Sequence, residues 1–145
     1  MTTGTAGAQA PGKHEGAFPC GGCLCSGVRW RVRGALADVV ACHCGQCHKT
    51  SGHFAAMTHA PLARFDLVEQ ASLAWYRSSP TVSRGFCRTC GGNLFWREDG
   101  ADSIYITAGS IDGPSGLTTV AHIFCDVKGD YYDLPTDMPL YPEDL

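Results

Sequence analysis

A chain of 145 residues, 44% of them hydrophobic, is long enough for one domain with its own core, so a metal would not be needed merely to rescue a tiny fold. Its net charge of -3 and pI near 6.0 lack the basic footprint of a nucleic-acid binder. No stretch has the length of a membrane-spanning helix, and Met1 to Pro19 carries no apolar run like the core of a secretory signal, so the expectation is a cytoplasmic protein with no membrane partner.

Residues 1–17 are rich in Gly, Ala and Thr and lack aromatic anchors, which predicts a disordered N-terminal tail before a folded domain over 18–133. The first strand pattern, Val28-Arg29-Trp30-Arg31-Val32-Arg33, alternates apolar with charged residues at the period of a strand with one buried face. Val28, Trp30 and Val32 should point inward, leaving three arginines on a solvated face that discourages edge pairing. Similar strand-length pieces follow at Val39 to Cys44, Phe54 to Met57, Leu73 to Tyr76, Val82 to Phe86, Asn93 to Trp96, Ile104 to Thr107 and Ala121 to Phe124, each bounded by Gly, Pro, Ser or Asp. Helical turns are expected only at Cys44 to Thr50 and Pro61 to Phe65, both too short to carry a helical fold. The fold class is therefore mainly β. Over 134–145, Pro135, Pro139 and Pro142 cannot donate into a sheet, which predicts an extended C-terminal tail lying over the surface.

The chemistry lies in the cysteines. Seven of the nine fall into three clusters: Cys23 and Cys25; Cys42, Cys44 and Cys47; Cys87 and Cys90. A disulfide framework fits badly, because nine is odd, partners two residues apart are strained, and a cytoplasmic home keeps thiols reduced. As metal ligands the seven divide into a set of four, which closes a tetrahedral zinc, and a set of three, which leaves a coordination position free. Cys87-Arg88-Thr89-Cys90-Gly91 is a knuckle that needs a second pair, for which Cys23/Cys25 and Cys20/Cys23 both qualify. The middle cluster can take a fourth ligand from His43, His48, His53, His59 or His122, or keep an open position. Three thiolates overcompensate a zinc dication, so an open site of this type generates hydroxide weakly but can hold an incoming thiol as thiolate, which points to a sulfur substrate.

The ordered segments Gly22-Cys23-Leu24-Cys25-Ser26-Gly27-Val28-Arg29, Cys42-His43-Cys44-Gly45-Gln46-Cys47-His48-Lys49-Thr50-Ser51-Gly52, Arg84-Gly85-Phe86-Cys87-Arg88-Thr89-Cys90-Gly91, Gly109-Ser110-Ile111-Asp112 and His122-Ile123 resemble the successive motifs of the glutathione-dependent formaldehyde-activating enzyme family. The resemblance, from about Gly21 to Ile123, implies a β-tent zinc-binding fold built of short antiparallel strands. It also implies two zinc ions: a structural one on Cys23, Cys25, Cys87 and Cys90, and a catalytic one on Cys42, Cys44 and Cys47 where a glutathione thiol binds. Two positions depart from the family pattern, Ser26 in place of glycine and His48 in place of arginine.

The implied activity is a carbon-sulfur lyase or synthase that forms or cleaves an S-hydroxymethyl adduct of a small thiol, such as glutathione, with a small aldehyde, such as formaldehyde. His48, Lys49 and His53 are the expected proton donors, and Ser51 and Arg84 the expected holders of the thiol's polar arms. The rival readings are a carbon-sulfur lyase acting on another thioether, and a non-enzymatic zinc-binding interaction module whose three-cysteine site is closed by histidine, Cys20 or Cys125.

Overall fold

The computed structural model describes residues 18–145, so the tail expected over 1–17 lies outside the described residues. Among the described residues ten short strands form two sheets. The smaller, in the order β1 (Cys20–Gly22), β2 (Arg29–Val32), β5 (Phe65–Glu69), is antiparallel throughout. The larger runs β10 (Thr119–Ile123), β3 (Val39–Cys42), β4 (Ala55–Pro61), β9 (Ser103–Thr107), β8 (Asn93–Glu98), β7 (Val82–Cys87), β6 (Leu73–Arg77), and is antiparallel except for the β10/β3 pair. The architecture is mainly β, as the strand patterning predicts. No helix among the described residues is long and apolar enough to cross a membrane.

The core sits between the two sheets. Val28, Trp30 and Val32, all at most 1% exposed, meet Leu94, Phe95, Ile104 and Ile106 from the larger sheet. Burial on this scale is worth about 1.5–3 kcal/mol per large side chain. On the other face of β2 the arginines are ion-paired rather than simply solvated: Arg29 with Asp112, Arg31 and Arg33 with Asp66. The expectation that this face discourages edge pairing fails because β2 is the central strand of its sheet, flanked by β1 and β5.

Several boundaries move for local reasons. The strand expected over Val39 to Cys44 stops at Cys42, because Cys44 caps the helix α1 (Gly45–Ser51) and its sulfur accepts from the Cys47 amide. The strand begun at Phe54 extends through Pro61 because β4 is paired on both sides, with β3 and β9, overriding the weak strand character of His59 and Ala60. The helical turn expected at Pro61 to Phe65 shrinks to Leu62–Arg64, since Phe65 opens β5 against β2. Neither β5 nor β1 was expected. In β1 two of three residues are glycine, and a Cβ on Gly21 would lie 2.0 Å from the Ser110 carbonyl oxygen, so close crossing rather than side-chain pattern defines the strand.

The C-terminal tail is hydrogen-bonded into the fold. The Pro139 carbonyl accepts from the His122 amide at 3.1 Å, and the Tyr141 amide donates to the His122 carbonyl at 2.9 Å. Pro139 thus acts through its carbonyl, while Tyr141 supplies the N–H that a proline lacks.

Candidate metal centres

The four sulfurs of Cys23, Cys25, Cys87 and Cys90 lie within 4.8 Å of one another. Cys23 and Cys25 sit in the turn between β1 and β2, Cys87 ends β7, and Cys90 lies in the turn to β8, so the group joins the small sheet to the large one. Backbone amides are aimed at sulfur: Val28 donates to Cys23 at 3.2 Å and Cys90 to Cys87 at 3.4 Å. Gly91, at φ 76°, turns the chain at the knuckle in a conformation that favours glycine. The Ser72 hydroxyl, followed by the amides of Cys90 and Thr89, holds the Cys87 thiol down to about 5. Cys20 is not in the group; its sulfur is 3.8 Å from an Asp112 carboxylate oxygen.

The sulfurs of Cys42, Cys44 and Cys47 form the second group, also within 4.8 Å, and no histidine joins it among the described residues. The three come from the end of β3, the helix cap and the first turn of α1. Hydrogen bonds from Cys42 and then Cys47 hold the Cys44 thiol down to about 2, while Cys42 is pushed up by its hydrogen bonds with Cys44 and then Cys47. Three thiols this close share one negative charge; all three can ionise together only around a cation, so the donor set fits a soft divalent metal such as zinc. Arg84 on β7 reinforces that fit. It is 7% exposed, two of its nitrogens are 3.8 Å from Cys47 Sγ, one of them also 3.1 Å from Gln46 Oε1, and its Nε has no partner. No carboxylate pairs with it among the described residues, so the anion it faces is the thiol group itself.

This second group opens on a cleft of about 290 Å³ whose lining includes Cys42, Cys44, Cys47 and Arg84. Its walls are apolar, with Met57, Trp96, Tyr105 and Phe124 among them, and Asp144 of the C-terminal tail also borders it. Trp96 and Tyr105 are register partners across β8 and β9 and meet edge to face at 5.2 Å.

Of the residues expected from the sequence to act beside the metal, Arg84 lines the cleft and the others do not. His48 packs edge-on against Tyr131, with ring centroids 5.9 Å apart, His53 Nδ1 is 2.9 Å from the Tyr131 hydroxyl, and Lys49 is exposed on α1. Ser51 lies in a separate hollow, 3.4 Å from Asn93 Nδ2. His43 is fully buried with both ring nitrogens engaged, Nδ1 at 2.6 Å from the Tyr132 hydroxyl and Nε2 at 2.8 Å from His122 Nδ1. Burial, then the neighbouring His122, pushes His43 down to about 4 and keeps it neutral. His59 packs against Tyr105 with ring centroids 5.2 Å apart, tilted at 45°.

Sequence reasoning missed Gln46, Trp96, Tyr105 and Asp144. One signal was present: Leu94-Phe95-Trp96 is apolar on both faces, which marks a strand covered on both sides.

Comparison with known proteins agrees with this picture. Residues 19–127 match the family described as glutathione-dependent formaldehyde-activating enzyme. A Schizosaccharomyces pombe protein named as an uncharacterized lyase is 27% identical over 128 residues, spanning 86% of this chain and 90% of its own length. A crystal structure of a Rhodobacter sphaeroides protein shares the fold, with a TM-score of 0.56 and 23% identity over 83% of this chain and 98% of that one.

Proposed function

The chain belongs to the glutathione-dependent formaldehyde-activating enzyme family, and on that premise we propose that it is a lyase in which Cys42, Cys44 and Cys47 hold a catalytic zinc. Its substrates in this reading are a small thiol such as glutathione and a small aldehyde such as formaldehyde, joined in or released from an S-hydroxymethyl adduct. Cys23, Cys25, Cys87 and Cys90 hold a second, structural zinc within a β-tent. The observation that carries the reading is the contrast between four sulfurs, enough to close a tetrahedral site, and three sulfurs that open on a cleft. Zinc bound by three thiolates supplies a coordination position that holds an incoming thiol as thiolate.

The chain's own residues supply the rest. Cleft walls exclude water from the reacting sulfur, and Arg84 offsets the surplus negative charge at Cys47. Addition of sulfur to the carbonyl carbon leaves an alkoxide that takes a proton, and the Tyr105 hydroxyl is the proton donor the cleft itself offers. His48, Lys49 and His53 would act on it through intervening water. Ser51 would reach only a long polar arm of the thiol. An interaction module with a closed second site is less well supported, because Cys20 lies by Asp112 and Cys125 Sγ is 3.4 Å from the His122 carbonyl. The test is exchange spectroscopy on a formaldehyde and glutathione mixture. Zinc-loaded protein should accelerate the interconversion, and Cys44→Ser should abolish the acceleration. No acceleration, together with no change at the metal on adding any thiol, would overturn the reading.

A further inference from the structure

The chemistry of the cleft walls selects among thiols. Resting on the zinc-thiol reading above, we infer that the thiol this cleft takes is one with an apolar body, aliphatic or aromatic, rather than a charged peptide thiol.

Three observations converge. The walls beside the three sulfurs are aliphatic and aromatic, with Val40, Met57, Val82, Trp96 and Ile123 among them, and burying charged groups against such walls without partners is costly. Among the described residues the cleft's one cation is Arg84, which is already engaged by Cys47 and Gln46 and is 7% exposed, so it is poorly placed to clamp a substrate carboxylate. The other charge bordering the cleft is negative: Asp144, held there by the tail, whose neighbouring Glu143 carbonyl accepts from the Phe124 amide at 3.0 Å. Glutathione, with two carboxylates against one ammonium, is a net anion that Asp144 opposes overall, and neither carboxylate finds a free guanidinium. A thiol carrying a phenyl or alkyl group instead lays it against Trp96 and Tyr105.

The tail gives this selectivity a structural origin. The family match ends at residue 127, so Asp144 reaches the cleft from a segment beyond it. The reaction balances as before: sulfur bonds to the carbonyl carbon, the carbonyl π pair moves to oxygen, and oxygen gains the proton that the thiol gave up.

The experiment titrates zinc-loaded protein with 2-phenylethanethiol and with glutathione in a calorimeter. The expected result is at least tenfold tighter binding of 2-phenylethanethiol, a preference reduced severalfold in Trp96→Ala by lost affinity for the aromatic thiol. It should narrow again in Asp144→Asn, there by gained affinity for glutathione. Equal or tighter binding of glutathione by the wild type overturns the apolar-thiol inference and leaves the zinc-thiol reading standing. A preference unchanged in both variants also overturns the inference, because it then does not arise in this cleft. Binding of neither thiol overturns both.

Discussion

The two sulfur groups are built from the same residue type at similar spacing, yet they do opposite things to the chain. Cys23 and Cys25 meet Cys87 and Cys90 across a separation of 62 residues between Cys25 and Cys87, joining two sheets. Cys42, Cys44 and Cys47 come from one strand end and the helix turn after it, and face a cleft. A long-range group constrains the fold, whereas a local group adds little beyond what the backbone already holds, so it can spare a coordination position for a ligand.

The sharpest way to break this comparison is to remove one sulfur from each. Cys90→Ser should cost about 4 kcal/mol or more and leave the domain largely unfolded at 37 °C, because it opens a closed site that ties the sheets together. Cys44→Ser should stay folded, because the serine hydroxyl can keep the helix cap and only the sulfur contacts go, at most about 1 kcal/mol, while thiol-dependent activity disappears. Thermal melts of the two variants side by side decide it. If the Cys44 variant melts as early as the Cys90 variant, both groups are structural.

Metal removal tests the same contrast without mutation. A chelator should take the ion from the three-cysteine group first, abolishing activity while the circular dichroism spectrum is unchanged, and only a second loss should melt the fold. Metal analysis showing one ion held, with Cys42, Cys44 and Cys47 open to thiol reagents throughout, would contradict two unequal sites.

A third variant sharpens the difference. Arg84→Met should weaken metal binding at the three-cysteine group by roughly 10–100-fold and leave the four-cysteine group unaffected, since the guanidinium contacts Cys47 and no sulfur of the other set. Competition with a chromogenic chelator reads this directly. Unchanged metal affinity with a raised KM for thiol would instead assign Arg84 to the substrate.

The smallest effect is expected at the rim of the four-cysteine group. Ser26 has φ 63°, a left-handed conformation that costs a residue with a Cβ about 1 kcal/mol. Ser26→Gly should therefore raise stability by about 0.5–1 kcal/mol in a denaturant titration, with no effect on the cleft. A drop in stability would mean that the serine side chain contributes more than its backbone costs.

What the sequence by itself determined is the part of the molecule set by neighbours along the chain. The alternation from Val28 to Val32 selects the buried face of β2 by the two-residue period of a strand, and the short spacing from Cys42 to Cys47 lets three sulfurs converge from a strand end and the start of the next helix. Gly91 likewise follows from the left-handed turn its knuckle requires. Only the tertiary structure decided which residues surround those sulfurs. Trp96 and Tyr105 arrive from two strands paired in register, Arg84 from a third, and Asp144 from a tail bonded along β10. His48 and His53, though close to Cys47 in sequence, do not line the cleft and pack on Tyr131 instead. Proximity along a chain governs backbone conformation within a turn or two, whereas the walls of a cleft are set by which strands pair, and that is decided by burial over the whole core.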